Sequence, residues 1–527
     1  MSLATRHGTR GMVTAPHYLA SEAGLSVLRD GGNAVEAAVA VAAALAVVYP
    51  HMTGIGGDGF WVIREPDGRV HSVHGCGGAA AAADLARYAG LSAVPTRGPL
   101  AANTVAGTVS AWAAALAEAG GTLPLDRLLR DAVAYAEGGV AVTAGGAAIA
   151  SAKGEELRAQ PGAYAATFEP QGRPLQAGDI LTQPRLAATL RQLAAEGLDG
   201  FYRGSLAERI AADLAALGSP VSRADLAAHQ ATTPPALSVP IRGARLYNST
   251  PPTQGIASLL ILALFDRLEA AACDGFDHVH GLVEATKQAF LWRDRHCGDP
   301  VHGDADPQAL LDDAGVLDAM AAAIDPARAL PWPQPPQWGD TCWFGAADAT
   351  GRVVSCIQST YFEFGSGLVL PETGITWQNR GSSFRLAASG WNALRPGRKP
   401  FHTLNPALAA FDDGRVMAYG TMGGEGQPQT QAALFTRYAR YGVDLQDAIR
   451  APRWLLGRTW GEQSTTLKLE DGFADDLYRQ LAEAGHEVER VGPLTAMMGH
   501  AGAIVRHGDG RLDGATDPRS DGAVAAW

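Results

Sequence analysis

Thr341 lies in WGDTCWFGAA, between an aspartate and a run of strand-forming residues, and its hydroxyl has two readings. In one it is an ordinary strand threonine. In the other the Asp340–Thr341 bond breaks, and Thr341 acquires a free α-amine beside its own hydroxyl. An α-amine of unperturbed pKa about 7.7 to 8.0 can take the hydroxyl proton near neutral pH, so the residue supplies both nucleophile and base. Acyl transfer also needs donors for an oxyanion. YGTMGGEGQPQT offers Gly423 and Gly424, where backbone without side chains can approach a reacting carbonyl. A tight turn is the plain reading of the same Gly-Gly pair.

The surrounding elements bear on the choice. LPWPQPPQWGD, residues 330–340, holds four prolines in eleven residues and reads as an extended segment, either a linker or the approach to a cleavage site. After it the pattern becomes β: TCWFGAA, then DATG, then RVVSCIQS. A three-residue hairpin loop at 349–351 with Gly351 left-handed places Ser359 opposite Thr341, where it can orient the hydroxyl. GITWQ, RVMAYGTM and AGAIVRH are further expected strands, and DDLYRQLAEAGH an expected helix. Before the proline-rich segment the chain is mainly helical, in PRLAATLRQLAAEGL and FDHVHGLVEATKQAFLWRDRH. Ser21 is expected to cap SEAGLSVLRD and Asn33 the alanine-rich helix that follows. Helices first and strands later, joined at a chemical junction, predict one layered α/β structure.

Composition narrows the partners. With 47% hydrophobic and 18% charged residues the chain reads as globular, and a net charge of −12 without clustered Lys or Arg argues against nucleic acid. A small molecule is the expected substrate. The five cysteines follow neither a disulfide nor a CxxC pattern, which predicts a reducing, cytoplasmic setting and no metal or other cofactor. No signal peptide is visible, and the longest apolar run, Ala37–Tyr49, is shorter than the roughly 20 residues that span a bilayer, so no membrane partner is expected.

The motifs DGGNAVEAAVA (30–40), PHMTGIGGDGF (50–60), NTVAGTVSAW (103–112), STPPTQG (249–255), EATKQAF (284–290), GDT (339–341), FGSG (364–367), TMGG (421–424) and DPRSDG (517–522) follow one another as in γ-glutamyltranspeptidases, which the chain resembles from about Gly11 onward. The resemblance implies the αββα sandwich of N-terminal-nucleophile hydrolases. It further implies self-cleavage into fragments 1–340 and 341–527 that stay associated, Thr341 as nucleophile, and Gly423 and Gly424 as oxyanion hole. A higher homo-oligomer is left open.

The amino-acid clamp of that family is altered. Where transpeptidases place the arginine that holds the γ-glutamyl carboxylate, in a Phe-Arg-Glu-Met-Ala-Pro motif, this chain has Cys76. Tyr361, Arg380 with Ser383, and His402 with Thr403 replace other clamp residues, among them the aspartate that would bind the substrate ammonium. Arg380 suits a carboxylate, and loss of the aspartate disfavours an amine. TYFEFGSGLVLPETGITWQNRGSSF, PFHTLNP and PRWLLGRTWG are similar to the oxamate-hydrolysing branch of the family. That likeness implies hydrolysis of oxamate to oxalate and ammonia in purine catabolism, with Arg380, Tyr361, His402 and Thr403 binding substrate. The alternatives are a γ-glutamyl hydrolase or transferase with an unusual clamp, and a non-catalytic relative acting as a binding subunit.

Two motifs point elsewhere on paper. GIGGDG (54–59) matches the dinucleotide fingerprint, but a helix precedes it and a strand follows, the reverse of the required order. HSVH (71–74) and HVH (278–280) lack a third ligand at metal spacing.

Overall fold

The computed structural model describes residues 3–303, 305–332, 340–457 and 464–527; most of the proline-rich segment, residues 333–339, lies outside the described residues. At its centre is the expected hairpin. Strand Asp340–Asp348 pairs with Val353–Tyr361, the loop between them closes through an Asp348 N–H to Arg352 carbonyl bond of 3.1 Å, and Gly351 has φ +101°. The predicted register holds from Val353↔Ala347 to Gln358↔Cys342. It then shifts, so that Tyr361 rather than Thr360 pairs with Asp340.

Among the described residues the hairpin sits in a six-stranded antiparallel sheet ordered Ala523–Ala526, Gly11–Ala15, Asp340–Asp348, Val353–Tyr361, Asp58–Arg64, Val70–Gly75. A seven-stranded antiparallel sheet packs on it, ordered Arg6–Gly8, Leu512–Thr516, Ala501–Arg506, Val416–Thr421, Ala407–Phe411, Ala244–Asn248, Leu237–Ile241. Strand alternation separates the layers. Trp343 and Ala347 point between the sheets among Phe60, Ile357, Leu408, Ala418 and Ile504, whereas Cys342, Phe344 and Ala346 join the core under helix Ala34–Val48. Gly420 and Gly502 make the slot for Trp343, since a Cβ on either would lie 2.2 or 2.5 Å from its indole. Helices Gly255–Phe265 and Gly426–Ala439 cover the outer face of the seven-stranded sheet. The result is the expected αββα sandwich.

Helix Ala34–Val48 is buried along its whole length, and its start carries the expected cap: Asn33 Oδ1 accepts from Val35 and Glu36, and Glu36 accepts from Asn33 N–H. Ser21 is not a cap. The preceding helix begins at Tyr18 on His17, whose Nδ1 accepts from Leu19 N–H, while Ser21 Oγ donates to the Ala523 carbonyl. GITWQ forms no strand. It makes only isolated bridges, Gly56↔Trp377 and Val369↔Thr376, because Gly374 is left-handed and pressed against helix Pro184–Glu196.

Helix Phe276–His296 secures the chain leading to residue 332. Buried Glu284 and Lys287 pair at 2.6 Å and clamp Leu330, Glu284 accepting its N–H and Lys287 donating to its carbonyl. The HVH histidines each stand in a cluster with two further metal-ligating side chains, His278 with Cys273 and Asp274, and His280 with Glu284 and His486. His280 hydrogen-bonds His486 and the Asp325 carbonyl, and His278 accepts from Asp274 N–H and bonds Thr436. No helix among the described residues is long and apolar enough to cross a membrane.

Candidate active site

Thr341 is fully buried on the face between the sheets, at the beginning of strand Asp340–Asp348. Gln427, in the first turn of helix Gly426–Ala439, donates from Nε2 to Thr341 Oγ at 2.7 Å. The loop before that helix holds Gly423 at φ +114° and Gly424 at φ +52°, both left-handed and suited to glycine, at the electropositive end of the helix. Gln254 fixes this loop: its Nε2 donates to the Gly424 carbonyl (2.8 Å) and the Thr403 carbonyl (2.7 Å). Arg293 in turn donates to Gln254 Oε1 and pairs with Glu425 at 2.7 Å. One buried network therefore ties the two predicted oxyanion glycines to the His402–Thr403 segment.

The register shift after Gln358 brings the second group of residues in. Ser359 Oγ accepts from Tyr361 N–H (2.7 Å), holding Tyr361 at φ +83°, a strained conformation for a bulky residue. Asn379 accepts from Phe362 N–H and donates its own N–H to the Thr360 carbonyl, stapling the strand end to the turn that carries Arg380. The Arg380 guanidinium lies 3.7 Å over the Tyr361 ring, and Tyr361 pairs with Asp340, the residue before Thr341. Arg380 is 1% exposed, and none of its three guanidinium nitrogens has a hydrogen-bond partner among the described residues. Burial lowers its pKa to about 10, which still leaves it a cation.

Around that cation stand Asp58, His402 and Cys76. Asp58 Oδ1 accepts from Gly107 N–H and Gln378 Nε2, and its Oδ2 lies 3.4 Å from His402 Nε2 without hydrogen-bond geometry. Burial pushes the Asp58 carboxyl up to about 7 against the attraction of Arg380. Both His402 ring nitrogens and Thr403 Oγ are buried without hydrogen-bond partners among the described residues. Burial and then Arg380 hold His402 well below the usual histidine range, so it is neutral. Burial pushes the Cys76 thiol up to about 12, which keeps it protonated, and the charges of Lys399, Asp58 and Arg380 act on it as well.

Burial sets the acid stability of the whole protein. His17 and His500 are lowered to about 4, and His51, His74 and His229 to about 3, in each case chiefly by burial. In the unfolded chain these groups bind protons below about 6.5. Their contribution to stability is therefore complete above pH 6.5 and is lost as pH falls toward 4, at about 1.4 kcal/mol per histidine per pH unit. Asp58, raised to about 7, and Asp213 and Asp521, also raised by burial, work in the opposite sense but are fewer than the histidines. Thermal melts from pH 8 to pH 5 should show the midpoint falling from near pH 6.5. A midpoint flat down to pH 5 would contradict this.

Of the residues predicted from sequence, Arg380 stacks on Tyr361 and acts on His402, which Thr403 follows in the chain, and Gln427 joins Thr341 to the loop that carries the two glycines. Gln427, Gln254, Asn379 and Asp58 were not foreseen. Asp58 lies in GIGGDG, and the glycines there serve close packing: a Cβ on Gly57 would lie 2.1 Å from the Ser359 carbonyl, and one on Gly56 2.3 Å from that of Thr376.

Known proteins resemble the chain along its length. The γ-glutamyltranspeptidase family model matches residues 20–527. An oxamate amidohydrolase proenzyme of Klebsiella pneumoniae is 54% identical over 98% of this chain and 99% of its own length. A glutathione hydrolase-like proenzyme of Bacillus subtilis is 41% identical over 98% of each chain. The crystal structure of a cephalosporin acylase from Bacillus halodurans superimposes with a TM-score of 0.92 at 32% identity, covering 100% of this chain and 97% of that one.

Proposed function

The chain belongs to the γ-glutamyltranspeptidase family and is a hydrolase of amide C–N bonds, and from that premise we propose that it cuts itself between Asp340 and Thr341 and then hydrolyses oxamate to oxalate and ammonia. The proenzyme names of its two relatives support self-processing. The fragments 1–340 and 341–527 then remain together through the shared sheets. The observation that carries the substrate is Arg380, a buried cation whose three guanidinium nitrogens have no hydrogen-bond partner among the described residues, stacked on the ring of Tyr361, whose backbone pairs with Asp340 next to Thr341. A buried charge without a partner is costly, and a planar carboxylate matches the guanidinium fork. Among the described residues the carboxyl that acts on this cation is Asp58, which burial raises to about 7, so it is a weaker partner for a substrate ammonium than an ordinary carboxylate. The relative named for oxamate agrees with this chemistry.

In the proposed reaction the Thr341 amine accepts the hydroxyl proton as Oγ attacks the amide carbon. Gly423 and Gly424 N–H groups stabilise the oxyanion. The amine returns the proton to the leaving nitrogen, ammonia departs, and water hydrolyses the oxalyl ester. Arg380 holds the carboxylate over Tyr361, and His402 and Thr403 face the amide. The test is intact mass spectrometry of the purified protein with an ammonia-release assay on oxamate, using γ-glutamyl-p-nitroanilide as control. Two fragments dividing at Asp340/Thr341 with turnover of oxamate alone are expected. An uncut chain inert to both compounds, or turnover of the γ-glutamyl compound alone, would overturn the proposal.

A further inference from the structure

The bond from Gln427 to Thr341 has a direction that the surrounding network fixes. Asn405 Nδ2 lies 2.9 Å from the Thr403 carbonyl, which can only accept, so that atom is the amide nitrogen. Its other hydrogen goes to the Gln427 side chain at 3.0 Å, so the Gln427 atom facing Asn405 is the oxygen. On its other side, Asn405 Oδ1 accepts from Asn248 Nδ2 at 3.4 Å, and Asn248 is itself fixed because its Oδ1 accepts from Ser249 N–H, consistent with the same orientation. Gln427 consequently presents Nε2 to Thr341 Oγ and is bound to donate. All of these groups are buried, where a fixed donor keeps its direction and acts with little screening.

We infer that Gln427 is a catalytic residue whose N–H stabilises the negative charge on Thr341 Oγ when that oxygen is the leaving group. The inference rests on the reading of Thr341 as nucleophile. In deacylation, water adds to the ester carbon and gives a proton to the Thr341 amine. The C–Oγ bond then breaks, its electron pair passes to Oγ, and the ammonium returns the proton there, releasing the acid and restoring the hydroxyl. Charge grows on Oγ in this step, and Gln427 meets it with a hydrogen already in place. Self-cleavage contains the same departure, from the ester formed between the Asp340 carbonyl and Oγ.

The test uses Gln427→Met, which removes the donor, and Gln427→Glu, which keeps the shape but reverses the polarity. With oxamate as substrate, kcat should fall by about 30-fold or more and KM should fall with it, because acylation is spared and deacylation slowed. An oxalyl adduct should accumulate on the 341–527 fragment in quenched mass spectra. Variant chain that stays uncut should break at Asp340–Thr341 with hydroxylamine, which intercepts the ester. In Gln427→Glu, activity should recover in part at low pH, where the protonated carboxyl donates again. A role confined to packing would lower kcat/KM without adduct, hydroxylamine sensitivity or acid recovery. That pattern, or kcat within threefold of the parent, overturns the inference. Should neither variant fold, Asn405→Leu, which leaves Gln427 present but unoriented, carries the same readouts. Thr341→Ala separates the two claims: turnover in that variant sinks the nucleophile reading itself, whereas an inert Thr341→Ala beside a normal Gln427→Glu sinks only the role of Gln427.

Discussion

Thr341→Ala is expected to leave a single uncut chain of 527 residues with no measurable release of ammonia from oxamate, a loss of at least about 10⁴-fold. The size of the effect follows from how much the one residue does. Its Oγ attacks the Asp340 carbonyl to mature the protein, and only then does its nitrogen become the amine that serves as base, so a single substitution removes both nucleophile and base. The fold should survive. Thr341 Oγ makes its bond with Gln427 at a buried strand end, and removing a methyl and a hydroxyl there costs about 1 to 3 kcal/mol, small beside the core of two sheets and their helices. Thr341→Ser, which keeps the hydroxyl, should still process and turn over, more slowly because the methyl that restricts χ1 is gone. Intact mass and circular dichroism check both variants. A Thr341→Ala protein that is folded and divided at residue 341 would show that another nucleophile cuts the chain.

The sequence made the hairpin legible because its information is local: a glycine at the loop, β-branched residues on both arms, and a period of two that sorts Trp343 from Phe344. The same rule carried the register as far as Gln358. It could not carry it further, since the shift after Gln358 depends on the Ser359 hydroxyl taking the Tyr361 amide and on Asn379, eighteen residues from Tyr361, binding Phe362. Arg380, Tyr361, His402 and Thr403 were found through resemblance, which supplies positions without contacts. Gln427 escaped both routes. It stands on a helix covering one sheet and reaches a residue at the end of a strand in the other, a pairing that no periodicity encodes. Asp58 lies in a motif that matches the dinucleotide fingerprint but is set aside on element order, and its glycines admit the backbone of Ser359 and Thr376.

Arg380→Ala should lower kcat/KM for oxamate by about 10²- to 10³-fold while leaving a neutral amide such as acetamide nearly as poor a substrate as before. Truncating one member of a buried, hydrogen-bonded charge pair costs about 2 to 5 kcal/mol, and here the other member is the substrate carboxylate. The family's arginine position is occupied by Cys76, whose thiol stays neutral, so that position supplies no cation in place of the lost one; Lys399, whose charge also reaches Cys76, remains in the variant. Lysine is a poor substitute: a point charge on a flexible stem neither stacks flat on Tyr361 nor offers a fork, and Arg380→Lys should recover no more than about tenfold. The comparison between amides separates binding from structure. If Arg380 merely supported Tyr361 and the strained strand end, its removal would disturb Thr341 equally for every amide, and acetamide would lose as much as oxamate. A loss confined to the carboxylate substrate assigns the guanidinium to that carboxylate. The pH profile supplies a second signature. Arg380 is the charge that most lowers the Asp58 pKa, so its removal lets the carboxyl titrate above about 7, and any pH dependence of kcat/KM that follows Asp58 should move to higher pH in the variant.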